Sequence, residues 1–155
     1  MYQTVRALVL RFADYKERGR ILTVLTDEGE KLTVSAHSRN AYTEPFVCSE
    51  LMLRKSKGKW YVTEGRTVSE FRGIRNELGR FDLAAHIARL LEAVSDADVP
   101  DPELFRLGAN ALNALAKTEA AQLEEFKTAV EARIARIAGF ADYGQLEEIL
   151  TGYGE

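Results

Sequence analysis

The sequence predicts an α+β protein in which a small five-stranded barrel or sandwich comes first and a helical part follows. Five short runs rich in β-branched and aliphatic residues occupy roughly the first 70 residues, and tight turns separate them. After about residue 80, apolar residues recur at helical spacing. Several short strands closed by tight turns are typical of barrels and sandwiches. We therefore predict a barrel domain over residues 1–72 and an α-helical domain over residues 73–155.

The five predicted strands are separated by turn segments. They are Thr4–Phe12, Arg20–Thr26, Lys31–Ala36, Leu51–Lys55 and Trp60–Glu64. Leu32 and Val34 alternate with polar residues, which is typical of a half-buried strand. Residues 27–30 form a short turn in which Gly29 can accept a positive φ, and residues 56–59 form a second hairpin turn around Gly58.

Three apolar stripes predict three helices in the second half. The stripes are Leu83, Ile87, Leu90, Leu91 and Val94; then Leu104, Leu107, Ala111 and Leu115; then Leu123, Phe126, Val130, Ile134 and Ile137. Asp101 is predicted to cap the second helix, with Pro102 at its first position, and Gly139 to follow the third. Residues 145–150 allow a short fourth helix. Because the stripes are narrow, we expect the helices to pack on one another and on the barrel.

The composition excludes several classes of protein. Of 155 residues, 46% are hydrophobic and 29% charged, which is ordinary for a globular protein. The longest apolar run, Ala7–Leu10, is too short for a transmembrane helix, and no secretory signal is seen. A single cysteine, Cys48, excludes an internal disulfide and a C-x2-C zinc site. We expect a soluble, intracellular protein without metal or other cofactor.

Known catalytic motifs are absent from the sequence. There is no P-loop, no dinucleotide-binding glycine motif and no H-E-x-x-H. We interpret His86 as a packing residue of a helix and His37 as a surface residue at a strand end. Ser35, Ser38 and Cys48 have no evident His or Asp partner by sequence. A binding protein is therefore expected; a concave site with shifted Asp, Glu or His pKa values would favour an enzyme instead.

Charge is distributed unevenly between the two halves. Residues 1–80 hold 15 Lys and Arg against 10 Asp and Glu, whereas residues 81–155 hold 6 against 14. The first half therefore carries a net charge of +5 and the second −8. A basic half suggests an anionic partner, of which nucleic acid is the commonest, although two solvated surfaces could also differ by chance.

Basic residues cluster at the predicted barrel loops, beside aromatic residues. The candidate nucleic-acid-binding residues are Tyr15, Lys16, Arg18, Arg20, His37, Arg39, Tyr42, Arg54, Lys55, Lys57 and Lys59. Cations neutralise phosphates and flat rings stack on unpaired bases, and in small barrels the 1–2 and 4–5 loops rim the oligonucleotide groove. Tyr15 and Tyr42 lie in polar segments and are the better stacking candidates, whereas Trp60 fits core packing equally well. The alternative is that charged hairpins only keep the barrel soluble.

Several blocks of the sequence resemble one known family, the RecO recombination-repair mediators of bacteria. The first blocks are Val9-Leu10-Arg11, Asp14-Tyr15-x-Glu17-x-x-Arg20-Ile21, Leu25-Thr26 and Gly29-x-Lys31-Leu32. The later ones are Leu51-x-Leu53, Asp101-Pro102-Glu103-Leu104-Phe105 and Arg133-Ile134-x-x-Ile137-x-Gly139-Phe140. The resemblance thus runs in order from about residue 1 to residue 140, and its first blocks are the more specific ones.

The resemblance implies an N-terminal OB-fold barrel, a helical C-terminal domain and a role in DNA repair without catalysis. It implies binding to single- and double-stranded DNA and annealing of complementary strands. It also implies two protein partners, RecR and the acidic C-terminal tail of single-stranded-DNA-binding protein, in a process that loads RecA. The expected place is the bacterial cytoplasm, at the nucleoid.

The sequence departs from the family pattern in three ways. Family members often continue into a four-cysteine zinc module, whereas this sequence is expected to be a short or shortened form. The segment 36–40 is short and has His37 where a lysine often stands, which favours an alternative: an OB-fold docking module with little direct DNA affinity. The helical half is acidic, so a pocket for an acidic tail would depend on Arg89, Arg133 and Arg136, unless these pair with Glu131 or other acids.

Overall fold

Five strands form a closed barrel in the computed structural model, which describes residues 1–96 and 98–152. The strands are β1 Tyr2–Tyr15, β2 Gly19–Thr26, β3 Lys31–Ala36, β4 Cys48–Ser56 and β5 Lys59–Ser69. Their order is β1-β2-β3-β5-β4, and β1 pairs with β4 to close the barrel. All pairs are antiparallel except β3 with β5, which is parallel. This arrangement is an OB-fold, so the predicted α+β fold class is confirmed.

Strand β1 is longer than predicted because it serves two neighbours. Its first half pairs with β4 and its second half with β2, and the register shifts between Val9 and Arg11. Such a bulge bends a strand and increases its twist, as barrel closure requires. The polar residues at the end of β1, up to Tyr15, therefore continue the strand rather than forming a loop.

The hairpin turns have the predicted character. Gly29 in the β2–β3 turn has a φ of 87°. Lys57 and Gly58 in the β4–β5 turn have φ values of 51° and 79°, as a type I′ turn requires. A short 3-10 helix, Ala41–Thr43, lies in the longer connection between β3 and β4.

Four α-helices follow the barrel within residues 1–96 and 98–152. They are α1 Leu78–Val94, α2 Pro102–Leu115, α3 Leu123–Ile137 and α4 Tyr143–Gly152. The carboxylate of Asp101 accepts a hydrogen bond of 3.0 Å from the Glu103 amide, which confirms the predicted cap of α2. Glu77 caps α1 by accepting hydrogen bonds from two backbone amides, and these bonds lower its pKa. No helix within the described residues is both long and apolar enough to cross a membrane.

Two apolar cores hold the chain together, and the second is shared by barrel and helices. Val9, Leu22 and Val34 lie in the barrel interior. Leu8 and Leu25 face out of the barrel and pack in one cluster with helix residues, among them Ile87, Leu91, Leu104, Leu112, Leu115 and Ile134. The change from strands to helices occurs between residues 69 and 74, but the two parts bury a common surface.

Polar contacts also join the barrel to α1. The Arg11 Nε donates to both carboxylate oxygens of Glu92 at 2.8 and 3.1 Å, and these contacts raise the pKa of Arg11. The Lys31 ammonium donates to the Glu92 carbonyl at 3.2 Å, near the negative end of the helix. The helical part is therefore held against the side of the barrel formed by β1 and β2.

Candidate nucleic-acid interface

The β1–β2 turn, the end of β3 and the β4–β5 turn meet at one end of the barrel. Two adjoining cavities lie there, with volumes of about 510 and 420 Å³. Lys16, Arg18 and His37 line the first, and Lys59 and Trp60 line the second. We call the two cavities together the loop groove. The structure thus brings together the three loops that the sequence predicts as a nucleic-acid surface.

The middle of one row of residues across the sheet, Ile21, Ser35 and Tyr61, lines the loop groove. Consecutive strands pair in register through Ala13, Ile21, Ser35, Tyr61 and Arg54. Because side chains alternate between the two faces of a strand, these five share one face. None of them is buried, so the row lies on the outside of the barrel.

Aromatic rings and cations are paired at the loop groove. The Lys16 ammonium lies 5.2 Å from the centre of the Tyr15 ring, and the Arg54 guanidinium lies 5.4 Å from that of Tyr61. The Lys55 ammonium lies 5.3 Å from the centre of the Trp60 ring. All three distances are within the range of cation–π attraction. Trp60 also packs partly against the barrel core, so it contributes to both the core and the groove.

Arg20 does not line the loop groove. Its side chain is only 10% exposed; Nε donates to Asp14 at 3.0 Å and Nη1 to Glu44 at 3.1 Å. Its guanidinium also lies 3.8 Å from the centre of the Phe12 ring. Burial lowers the pKa of Arg20, but the two carboxylates outweigh it and the pKa is raised. We therefore revise the assignment of Arg20 from phosphate contact to positioning of β1, β2 and the 3-10 helix.

Arg39 ties two of the loops together. Its Nε lies 3.3 Å from the Asp14 carboxylate, and its Nη2 donates to the Lys16 carbonyl at 3.3 Å. The side chain is still 38% exposed. Arg39 therefore holds the β1–β2 turn beside the end of β3 and keeps part of its guanidinium at the surface.

Tyr42 lies outside the loop groove. Its ring packs against Gly65 of β5 so closely that a Cβ on Gly65 would be 2.5 Å from the ring carbons. Its carbonyl accepts a hydrogen bond of 2.8 Å from the Ser49 hydroxyl. We therefore revise the assignment of Tyr42 from base stacking to packing of the 3-10 helix on the barrel.

Tyr61 is the groove residue that sequence reasoning did not single out. It borders both cavities and belongs to the outward row of side chains. The signal was present, because Val62 points into the barrel and strand alternation then places Tyr61 outside. The candidate cations that remain at the surface are Lys16, Arg18, Arg54, Lys55, Lys57 and Lys59, and none of these forms an ion pair with a described residue. The candidate His37 is also exposed and lines the groove.

The sequence of the chain is similar to those of known proteins. The family model described as "Recombination protein O C terminal" matches residues 75–141. The DNA repair protein RecO of Rubrobacter xylanophilus is 35% identical over 121 residues, which cover 74% of this chain and 48% of that protein. The chain belongs to the RecO family.

Two further relatives cover different shares of this RecO-family chain. The DNA repair protein RecO of Bacillus subtilis is 32% identical over 112 residues, 68% of this chain and 44% of that protein. That of Exiguobacterium sibiricum is 28% identical over 150 residues, 92% of this chain and 59% of that protein. The chain thus spans about half the length of the curated RecO proteins that it matches.

The helical part of the RecO-family chain has a second groove, between α1 and α3. Its volume is about 370 Å³, and Leu83 and Leu123 line it together with the cations Arg89 and Lys127. Its lining also includes His86 and two carboxylates, Asp82 and Glu124. Of the three candidate arginines, only Arg89 lines this groove. Lys127 was not predicted as a site residue, because nothing in the sequence shows which face of α3 meets α1.

Arg133 and Arg136 lie elsewhere on α3 and are exposed. Among the described contacts, neither arginine pairs with Glu131. The Glu131 carboxylate instead lies 2.7 Å from the His86 Nε2, between α1 and α3. His86 is thus a packing residue with a polar partner, as the sequence predicts.

Proposed function

We propose that this chain is a DNA-binding mediator of recombination repair that uses the loop groove to bind and anneal single-stranded DNA. The observation that carries the proposal is the convergence of three loops, which brings six surface cations and three aromatic residues to one end of the barrel. Family membership supports it, since the relatives are named DNA repair proteins. In this role the chain binds and positions DNA, and catalyses no reaction.

The groove binds DNA chiefly through the phosphates. Lys57 and Lys59 lie on an exposed hairpin and Lys16 and Arg18 on the facing turn, so a strand laid along the groove meets cations on both sides. Phosphate contacts carry little base information, which makes this binding largely independent of sequence and open to duplexes as well. Neutralised strands repel one another less, and this favours annealing of complementary strands.

A fluorescence-anisotropy titration of a labelled single-stranded oligonucleotide at two salt concentrations tests the proposal. We expect binding that weakens steeply as salt increases, because each neutralised phosphate releases counterions. The absence of binding even at low salt would contradict it.

The proposed partners are RecR and the acidic tail of single-stranded-DNA-binding protein, with which the chain would help to load RecA at the bacterial nucleoid. The candidate place for such a tail is the groove between α1 and α3, where Arg89 and Lys127 can pair with carboxylates beside two leucines. Asp82 and Glu124 line the same groove and oppose an acidic ligand, so binding there depends on the two cations. The Arg89→Ala variant should then weaken binding of a tail peptide more than Arg133→Ala or Arg136→Ala. Equal effects of the three variants would argue against this groove.

A second candidate function is an OB-fold docking module with little direct DNA affinity. The ion pairs of Arg20 and Arg39 favour it, because they withdraw cations from the surface that the sequence had assigned to DNA. This reading predicts that RecR binding survives charge reversal of Lys57 and Lys59, and that no salt-sensitive DNA binding is seen.

A further inference from the structure

Two tyrosines lie where the two cavities of the loop groove adjoin. Tyr15, Ser35 and Tyr61 are the residues that border both cavities. Tyr15 is the last residue of β1, and Ser35 and Tyr61 are paired neighbours on β3 and β5. The site is therefore carried by strands, which hold side chains more rigidly than loops do.

The small side chain of Ser35 leaves space beside Tyr61 where the two cavities adjoin. Ser35 lies directly opposite Ile21 on one side and Tyr61 on the other, in the outward row of the sheet. A larger residue at this position would fill part of the cavities, whereas serine leaves a recess that Ile21, Tyr15 and Tyr61 also line. A recess of this kind fits a flat, partly apolar group such as a nucleobase.

Both tyrosine rings already interact with a cation of the protein itself. Lys16 lies against Tyr15 and Arg54 against Tyr61. A ring face covered by a cation is not free for a base, but the same cations are suited to phosphate. Since neither cation has an ion-pair partner among the described residues, each can leave its ring without breaking a salt bridge.

We propose that unpaired bases of a single strand stack on the rings of Tyr15 and Tyr61, and that Lys16 and Arg54 move from the rings to the flanking phosphates. This inference rests on the proposed DNA-binding function and adds the class of ligand, an unpaired nucleobase. Bases of a duplex are stacked inside it and cannot enter the recess. The tyrosines therefore distinguish single strands from duplexes, whereas Lys57 and Lys59 contact the phosphates of both.

Three labelled oligonucleotides of equal length test the stacking site in the wild-type protein. They are an oligothymidine, the same strand with abasic sites in place of the bases, and a duplex. We expect the oligothymidine to bind about tenfold or more tightly than the abasic strand, because stacking on an aromatic ring adds affinity that the phosphates cannot supply. Equal affinities would overturn the inference and leave the proposed function standing. No binding of any strand at low salt would contradict the proposed function itself.

Substitutions then test which residues cause the preference for strands that carry bases. Tyr15→Leu and Tyr61→Leu should each reduce the difference between oligothymidine and abasic strand, and Ser35→Leu should do so by filling the recess. Tyr61→Phe should keep the difference, as should Phe81→Leu, which removes an exposed ring on α1. Tyr15 is 50% exposed at the end of a strand, so its variant tests the site even if a Tyr61 variant unfolds. A full preference for bases in Tyr15→Leu and Ser35→Leu would overturn the inference.

The movement of the cations has its own test. If Arg54 leaves Tyr61 for a phosphate, Arg54→Gln should reduce the salt slope for single strands by about 0.7, the value for one phosphate contact. If Arg54 stays on the Tyr61 ring, the salt slope should not change, and the proposed movement of Arg54 to a phosphate would be wrong. Thermal unfolding of each variant checks that the barrel is intact.

Discussion

The backbone of Gly29 lies against the backbone of Asp101. A Cβ built on Gly29 would be 2.2 Å from the Asp101 carbonyl carbon, a distance that no side chain can occupy. Gly29 belongs to the β2–β3 turn and Asp101 caps α2, so a turn of the barrel touches the start of a helix with nothing between them. Together with the shared apolar core, this contact fixes the helical part on the barrel.

Replacing Gly29 with alanine should therefore destabilise the protein in two ways. A φ of 87° is strained for alanine, at roughly 1–2 kcal/mol, and the added Cβ must push the Asp101 backbone away. We expect Gly29→Ala to lower the free energy of unfolding by more than about 2 kcal/mol in a urea titration.

Gly58→Ala is the matched control. Gly58 has a similar φ of 79°, but no atom lies within 4 Å of a Cβ built there. The loss of stability in Gly58→Ala should come from backbone strain alone, roughly 1–2 kcal/mol. Equal losses for the two variants would mean that the contact between the β2–β3 turn and Asp101 adds nothing to stability.

Most elements of the fold could be predicted because their signals are local. The alternation in β3, the cap at Asp101 and the glycine after α3 each depend on a few neighbouring residues. The ends of β1 and β5 could not be predicted, because their polar residues are held in the sheet by partners on other strands. The contact of Gly29 with Asp101 could not be predicted either, because it joins residues far apart in the chain.

The candidate site was predicted as a set of loops and revised residue by residue. Basic and aromatic composition predicted a surface made of three loops, and the structure places these loops around two adjoining cavities; that the surface binds DNA stays a prediction. Composition could not show that Arg20 would find Glu44, nor that Tyr42 would pack on Gly65, because those partners lie about twenty residues away. Composition also did not identify Tyr61 as a groove residue, because its position depends on the register of β5 with β3.

Arg20→Met should lower stability, because Asp14 keeps only its ion pair with Arg39 and Glu44 loses its cation. These carboxylates are 49% and 44% exposed, so water compensates part of the loss and we expect about 1–3 kcal/mol in chemical denaturation. Arg18→Met at the exposed neighbouring turn serves as the control. It should leave stability unchanged and reduce the salt slope of DNA binding by about 0.7. The assignment of Arg20 as a positioning residue would be wrong if stability were unaffected.

The raised pKa of Tyr143 predicts that the stability of the protein decreases at alkaline pH. Burial, followed by the charges of Glu131 and Glu147, raises its pKa from 10.0 to about 12. Between these values the unfolded chain loses the phenol proton and the folded protein keeps it, so the free energy of unfolding decreases as pH rises. Below pH 10 both states hold the proton and this contribution does not change.

Urea titrations between pH 9 and pH 12 on the wild type and Tyr143→Phe isolate this effect from the other titrating groups. The wild type should lose more stability than the variant above pH 10. Parallel curves for the two proteins would show that the Tyr143 phenol does not titrate differently in the folded and unfolded states.

Charge reversal of Lys57 and Lys59 should weaken DNA binding without preference for sequence. Both side chains are exposed on the β4–β5 hairpin, and Lys59 lines the loop groove. Losing two phosphate contacts should reduce the slope of log affinity against log salt by about 1.4 for a single strand. Anisotropy titrations over a range of salt concentrations measure both the affinity and the slope.

A long-range effect of net charge would mimic part of this result. The variant Lys117→Glu/Arg136→Glu makes the same change in net charge at exposed positions of the helical part, so it separates contact from general repulsion. It should lower affinity slightly and leave the slope unchanged, because it removes no phosphate contact. If both double variants lost affinity and slope equally, the hairpin would have no special place in DNA binding, and the docking module would become the better description of the barrel.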